Sequence, residues 1–259
     1  MSVLVHSYNN ADNLSECLDS ILYQSHRELD VVVIDDCSSD NSYSIAQRYV
    51  ARIPEKLRVW TTPVNVGSAR RAWLSSGIRL RGQFLSRIDA DDKWLGVNRI
   101  ERQLRLLQQN PQAIGCFGTT RVFDTCHQRW LPEITPPLPR WDFGDYRDQV
   151  PNLYTHLSSI LWRMTPAVRY FLSSRAIQHW IPGEWPFTLG VLALSRSHLV
   201  GLPDPVSQYN WTTKGVWSSL TEEEALAKNL ENDRYMQSNL RIARLRAGYW
   251  RNRLFTEYG

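Results

Sequence analysis

The chain has 259 residues, 42% of them hydrophobic, enough for one large domain or one domain with an appended lobe. Its 30 Lys and Arg stand against 26 Asp and Glu, and a net charge of +4 does not mark a nucleic-acid binder. Four scattered cysteines, Cys17, Cys37, Cys116 and Cys126, form neither a CxxC pair nor a Cys/His zinc spacing, so a reducing, cytoplasmic setting is expected.

"SVLVHSY" (2–8) reads as a strand from the second residue, so no signal peptide is expected ahead of the fold. "LSECLDSILYQ" (14–24) places Leu14, Leu18, Ile21 and Leu22 on one helical face. "DVVVIDD" (30–36) is apolar almost throughout, as a parallel strand covered on both faces must be. A helix over 40–53, a strand over 57–62, a short helix between Gly67 and Gly77 and a strand over 83–89 follow. Val97, Ile100, Leu104 and Leu107 mark a further helix ending before Pro111, and 113–123 is a strand.

This rhythm implies βαβ units and a mostly parallel sheet. Strand C-termini then share one edge, where ligands bind in such folds. Tyr8, Asp36 and the run Asp89 to Asp92 all fall at such ends. After residue 124 the pattern loosens into a Pro- and Trp-rich excursion over 128–151, then "HLSSILWR" (156–163), read as a strand, and "WPFTLGVLALSRSH" (185–198), read as a buried helix. No run approaches 18 apolar residues, so no spanning helix is expected.

"RIDADDKW" (87–94) places three carboxylates in four positions, where they repel one another. On extended backbone Asp89 and Asp91 project to one side and Asp92 to the other. Two converging carboxylates suit Mn²⁺ or Mg²⁺, which take one or two such ligands together with phosphate oxygens and water. The alternative is a solvated acidic turn before a helix, whose N-terminus favours negative charge. "IDDCSSDNS" (34–42) leaves a similar choice: Asp36 accepts hydrogen bonds from a base or ribose, or the run supplies helix caps. The pair Asp35-Asp36 also resembles the phospho-acceptor site of a receiver domain, which would be about half this length. Neither dinucleotide-fold nor P-loop glycine patterns occur.

Five segments in order resemble family 2 glycosyltransferases of GT-A fold. They are "SVLVHSYNNADNLSECLDSILYQSHRELDVVVIDDCSSDNS", "NVGSARRAWLSSGIRLRGQFLSRIDADD", "HLSSILWR", "GEWPFTLGVLALSRSHLVGLPDPVSQY" and "GVWSS", together spanning about residues 2 to 219. The resemblance implies an α/β GT-A domain over 1–219, with a Rossmann-like nucleotide-sugar half at 1–124 and an acceptor-side half at 125–219. It further implies an inverting enzyme that moves a sugar from a nucleoside-diphosphate sugar to an acceptor. Ser7, Tyr8 and Asn9 would line the nucleotide pocket and Asp36 would bond the base. Asp89 and Ala90 would lie near the ribose, and Asp91 with Asp89 would hold the cation. Glu184 would stand at the place of the catalytic base, where its bland reading is an acidic residue at a helix start. Either Arg70 or Arg71 would reach the diphosphate, or both would form a solvated helix face.

The chain departs from the family pattern at His6, where a Pro is usual, at Glu184 in place of Asp, and at Asn210 and Thr212 in place of Arg and His. Lys214 or a water would stand in for that His. His156 is read as a structural histidine. The changes at Glu184, Asn210 and Thr212 leave room for a second class of reading, a nucleotide- or sugar-binding module that keeps the fold without turnover. Residues 220–259 read as a helical extension with Arg241, Arg244, Arg246, Arg251 and Arg253 among Tyr249, Trp250 and Phe255. It would pack on the catalytic domain, touch anionic lipid peripherally, or join two copies of the chain. The acceptor is left open among glycan, lipid-linked sugar, peptide and small natural product.

Overall fold

Alternation along the first two strands sets the layering. The computed structural model describes residues 1–135, 139–142, 144, 155–174 and 184–213, with scattered positions from 220 to 234. β1 (Ser2–Ser7) and β2 (Asp30–Asp35) are buried at every position. Val3, Val5, Val31 and Val33 turn to one side, against Leu14, Leu18 and Ile21 of α1 (Leu14–Leu22) and Ile45 of α2 (Ser42–Arg52). Leu4, Val32 and Ile34 turn to the other, into a second and larger core. Successive side chains of a strand must point to opposite faces, so a run apolar at every position needs two covering layers.

β3 (Leu57–Thr61) follows α2, and α3 (Ala69–Ser76) runs between Ser68, whose hydroxyl accepts the Arg71 N–H, and Gly77, at φ +63°. Gly77 takes the left-handed conformation that closes a helix without a side-chain clash. β4 (Phe84–Asp89) returns beside β1, with His6 opposite Asp89. Strands β1 to β4 therefore form the parallel βαβ half that the sequence rhythm predicts, in the order β3-β2-β1-β4.

The remainder builds a mixed sheet outward from β4. Its elements are β5 (Lys93–Trp94), α4 (Arg99–Gln109), β6 (Gly115–Asp124), β7 (Arg129–Ile134), β8 (Arg140–Asp142), β9 (Leu161–Arg163), α5 (Pro166–Ser173), α6 (Glu184–Ser195) and β10 (His198–Trp211). The full order is β3-β2-β1-β4-β9-β6-β10-β5, with β7 added to β6 and β8 to β10. β6 and β10 are parallel, whereas β9 pairs antiparallel with β4 and β6. The register of β10 against β6 shifts twice around Pro205. Proline has no N–H for the ladder, so a strand carrying Pro203 and Pro205 must bulge there.

"HLSSILWR" departs from the expected strand. Leu157–Ser159 form a 3-10 turn and only Leu161–Arg163 pair as a strand. Side chains supply the donors that a neighbouring strand would have supplied. Arg99 Nη2 donates to the Ser158 carbonyl at 2.7 Å, Gln103 Nε2 to that of Ser159 at 2.8 Å, and Ser86 Oγ to that of Ile160 at 2.7 Å. With each carbonyl satisfied from α4 or β4, the segment stays buried without strand geometry.

The larger core closes where α5 meets α6. Phe171 packs edge-on to Phe187, and a Cβ at Gly190 would lie 2.4 Å from the Phe171 ring. Leu226 packs against this same core. Lys214, the 215–219 motif, the arginine-aromatic run from 241 onward and much of the 128–151 excursion lie outside the described residues. Among the described residues no helix is long and apolar enough to cross a membrane.

Candidate active site

Three parallel strands deliver the polar residues to one edge. β1 ends at Ser7, β2 at Asp35 and β4 at Asp89. Ser7 is buried, and its Oγ has no hydrogen-bond partner. Tyr8 is 49% exposed just beyond it. Asn9 sits at φ +51°, a left-handed conformation that asparagine tolerates, and its Oδ1 accepts the Ser39 N–H at 2.8 Å. Its own N–H donates to Ser38 Oγ at 2.9 Å. The loops after β1 and β2 are thus laced together through Asn9.

Asp36 is buried and anchors a third loop. Its Oδ1 accepts from Thr62 Oγ1 and the Val66 N–H, each at 2.9 Å, and its Oδ2 accepts the Gly67 N–H at 2.9 Å. A carboxylate offers about four acceptor positions, so about one is left on Oδ2.

The acidic turn is held between two strands. The Ala90 N–H donates to the His6 carbonyl at 2.8 Å, and the Asp92 N–H closes back on the Asp89 carbonyl at 3.0 Å. His6 Nδ1 lies 3.4 Å from Asp89 Oδ1. Burial raises the Asp89 carboxyl, but the neighbouring His6 outweighs it and holds the group below the ordinary carboxylate range. Burial, then the charge of Asp89, pushes Asp91 up to about 7. Asp92 is buried whereas Asp89 is half-exposed, but residues 90 and 91 form a turn, so the extended alternation expected of this run does not apply. Burial, then the charges of Asp91 and Asp89, raises Asp92 well above the ordinary value.

Asp92 has a neighbour that the sequence did not reveal. Its Oδ2 lacks a hydrogen bond and lies 3.6 Å from Nδ1 of His156. The His156 ring stacks on Tyr209 with centroids 4.5 Å apart and accepts the Ser158 N–H at Nδ1. Burial lowers its pKa to about 4, which leaves a neutral imidazole. His156 is structural in its contacts, as expected, yet it borders the acidic turn. On the opposite side Asn210 donates Nδ2 to the Asp91 carbonyl at 2.6 Å and its backbone N–H to Asp92 Oδ1 at 3.2 Å.

Arg70 is tied to α5, whereas Arg71 stays exposed beside the loop after β3. Arg70 Nη2 donates to the carbonyls of Phe171 and Ser174, the latter at 2.9 Å, at the C-terminus of α5. A cation there complements the helix dipole. Arg71 Nη1 donates to the Val66 carbonyl at 3.1 Å. Glu184 is the first described residue of α6; residues 175–183 and its own side chain lie outside the described residues.

Among the described residues, no group of three or more His, Cys, Asp or Glu is disposed to hold a metal ion alone. Asp89 and Asp91 nevertheless fit a divalent cation completed by phosphate and water. Burial, then the charge of Asp89, raises Asp91, a cost that a bound cation would relieve, and the adjacent Asp92 keeps a buried oxygen without a hydrogen bond.

A family model described as Glycosyl transferase family 2 matches residues 2–195. The chain belongs to that family. The Bacillus subtilis (strain 168) protein TuaG, named for teichuronic acid biosynthesis, is 32% identical over 120 residues, 46% of each chain. This chain therefore spans about half the length of that relative. Among solved structures, S. aureus TarS 1–349 in complex with UDP-GlcNAc superposes with a TM-score of 0.68 at 18% identity, over 92% of this chain and 66% of that one. The mannosyltransferase PcManGT from Pyrobaculum calidifontis, in complex with GDP-Man and Mn²⁺, gives 0.60 at 16% identity, over 94% and 65%. At these identities the two structures establish the shared α/β GT-A fold of this family 2 chain.

Proposed function

We propose that the chain is an inverting glycosyltransferase that moves a sugar from a nucleoside-diphosphate donor to an acceptor hydroxyl by single displacement. The observation that carries this reading is the meeting of Ser7 to Asn9, Asp36 and Asp89 to Asp91 on one strand edge. The half-exposed Tyr8 offers a flat ring to a base, and Ser7 an unused hydroxyl. Asp36 shapes the pocket through its loop and keeps about one acceptor position for the donor. The family 2 pattern and the Mn²⁺ of the PcManGT complex favour a divalent cation.

Asp91 and Asp89 would hold that Mn²⁺ or Mg²⁺, with Ala90 beside the ribose. The cation would offset negative charge on the departing diphosphate. Glu184, at the head of α6, is the proposed base that takes the acceptor proton, because a hydroxyl is a poor nucleophile until a positioned carboxylate relieves it of that proton. A base on the face opposite the leaving group yields inversion.

The test is to incubate the chain with UDP- and GDP-sugars and Mn²⁺ and to measure nucleoside diphosphate release. Turnover that disappears in Asp91→Ala and in Glu184→Gln supports the enzyme. Nucleotide binding without turnover for any donor replaces it with the binding module, a reading for which the departures at Glu184, Asn210 and Thr212 leave room.

A further inference from the structure

We propose that Asn210 is a positioning residue for the acidic turn, setting the backbone of Asp91 and through it the cation affinity of the Asp89–Asp91 pair. The inference rests on the reading of that pair as the cation site. β10 runs antiparallel along the chain that leaves the turn, with Ser207 opposite Trp94 and Gln208 opposite Lys93. Asn210 continues this line beyond the start of β5, back towards the turn. Its backbone N–H meets the Asp92 carboxylate rather than a backbone carbonyl, and its side chain meets the carbonyl of Asp91. Two consecutive residues of the turn are therefore fixed by one residue of β10.

The polarity of the side chain is determined. The Asp91 carbonyl only accepts, so the atom 2.6 Å from it is Nδ2. Oδ1 then faces Gln208, whose Nε2 donates to it at 2.7 Å. Gln208 is buried, so it holds the amide in this orientation. The near limb of the turn is tied to β1 by the Ala90 N–H on the His6 carbonyl, and the far limb to β10 by Asn210. Such a clamp resists the mutual repulsion of Asp89 and Asp91, which otherwise spreads the two carboxylates apart. A neutral amide does this without adding a positive charge that would compete with a cation.

The experiment titrates Mn²⁺ into the full chain with excess UDP, and in parallel GDP, and follows the electron paramagnetic resonance signal of the free ion. Asn210→Ala is expected to raise the Mn²⁺ dissociation constant about tenfold, as loss of a supporting partner typically does. Gln208→Leu is expected to raise it by a smaller factor, and Asn210→Gln, which keeps the amide, to recover part of the loss. An Asn210→Ala chain with a lowered melting temperature but unchanged Mn²⁺ affinity, while Asp91→Ala abolishes it, overturns the inference alone. Unchanged Mn²⁺ affinity in Asp91→Ala, or no retention by the unsubstituted chain, overturns the cation site and the inference with it.

Discussion

Arg99 reaches from the first turn of α4 to the carbonyl of Ser158, at 2.7 Å, with its guanidinium 3.9 Å from the Trp94 ring centroid. It is wholly buried, and burial lowers its pKa to about 9. The turn it supports carries His156 to the acidic corner. Truncation in Arg99→Ala leaves a cavity and an unsatisfied carbonyl, and is expected to lower stability by about 3 kcal/mol in urea unfolding. Arg99→Met refills much of the volume. Full recovery in that variant would show that the hydrogen bond adds nothing.

At the opposite end of the sheet, Asp30 gathers Ser2 Oγ at 2.8 Å, Arg58 Nη2 at 2.6 Å and the Arg81 N–H at 2.9 Å. Burial acts to raise its carboxyl, but these donors outweigh burial and hold it below the ordinary value. A depressed folded-state pKa contributes stability that is present above the unfolded pKa and fades as pH falls through the folded one. Asp30→Asn is therefore expected to be about 1–2 kcal/mol less stable at pH 7. The difference from the unsubstituted chain should shrink below about pH 4. A difference that stays constant down to pH 2 would place the effect in packing instead.

The legible parts of this protein were those decided locally. β1 and β2 announce themselves because strands covered on both faces are apolar throughout, and α4 because Ile100, Leu104 and Leu107 keep a helical period. The acidic turn stands out because adjacent carboxylates need a reason. What stayed hidden depends on partners far along the chain. The 157–159 turn is set by Arg99 and Gln103, 59 and 56 residues away from the carbonyls they hold. Asp36 looks like a free acceptor until Val66 and Gly67, 30 and 31 residues on, fold back to it. Arg70 is left open in the sequence between a diphosphate contact and a solvated helix face until α5 presents its carbonyls.

Gly190 sets the approach of α6 to α5. A Cβ there would sit 2.4 Å from one atom of the Phe171 ring and 2.5 Å from another, so ring or helix must move. Gly190→Ala is expected to destabilise by about 1–3 kcal/mol in thermal or denaturant unfolding. Adding Phe171→Leu opens room and should return part of the loss, a coupling that a double-mutant cycle reads directly. Independent, additive effects would mean that the two positions do not meet.

Asp36 has two separable roles to weigh, contact with a base and anchorage of the 62–67 loop. Asp36→Asn keeps an oxygen for Thr62 and Val66, but it sets an amide N–H against the Gly67 N–H. Anchorage predicts that the loop loosens and that UDP and GDP both lose affinity by a similar factor, about tenfold if one buried hydrogen bond is lost and another opposed. Base contact predicts a change confined to the nucleotide that the chain prefers. Because three of about four acceptor positions are already occupied by the loop, the uniform loss is the expected outcome. Isothermal titration of both diphosphates against the two chains distinguishes them, and a selective loss would return Asp36 to the base.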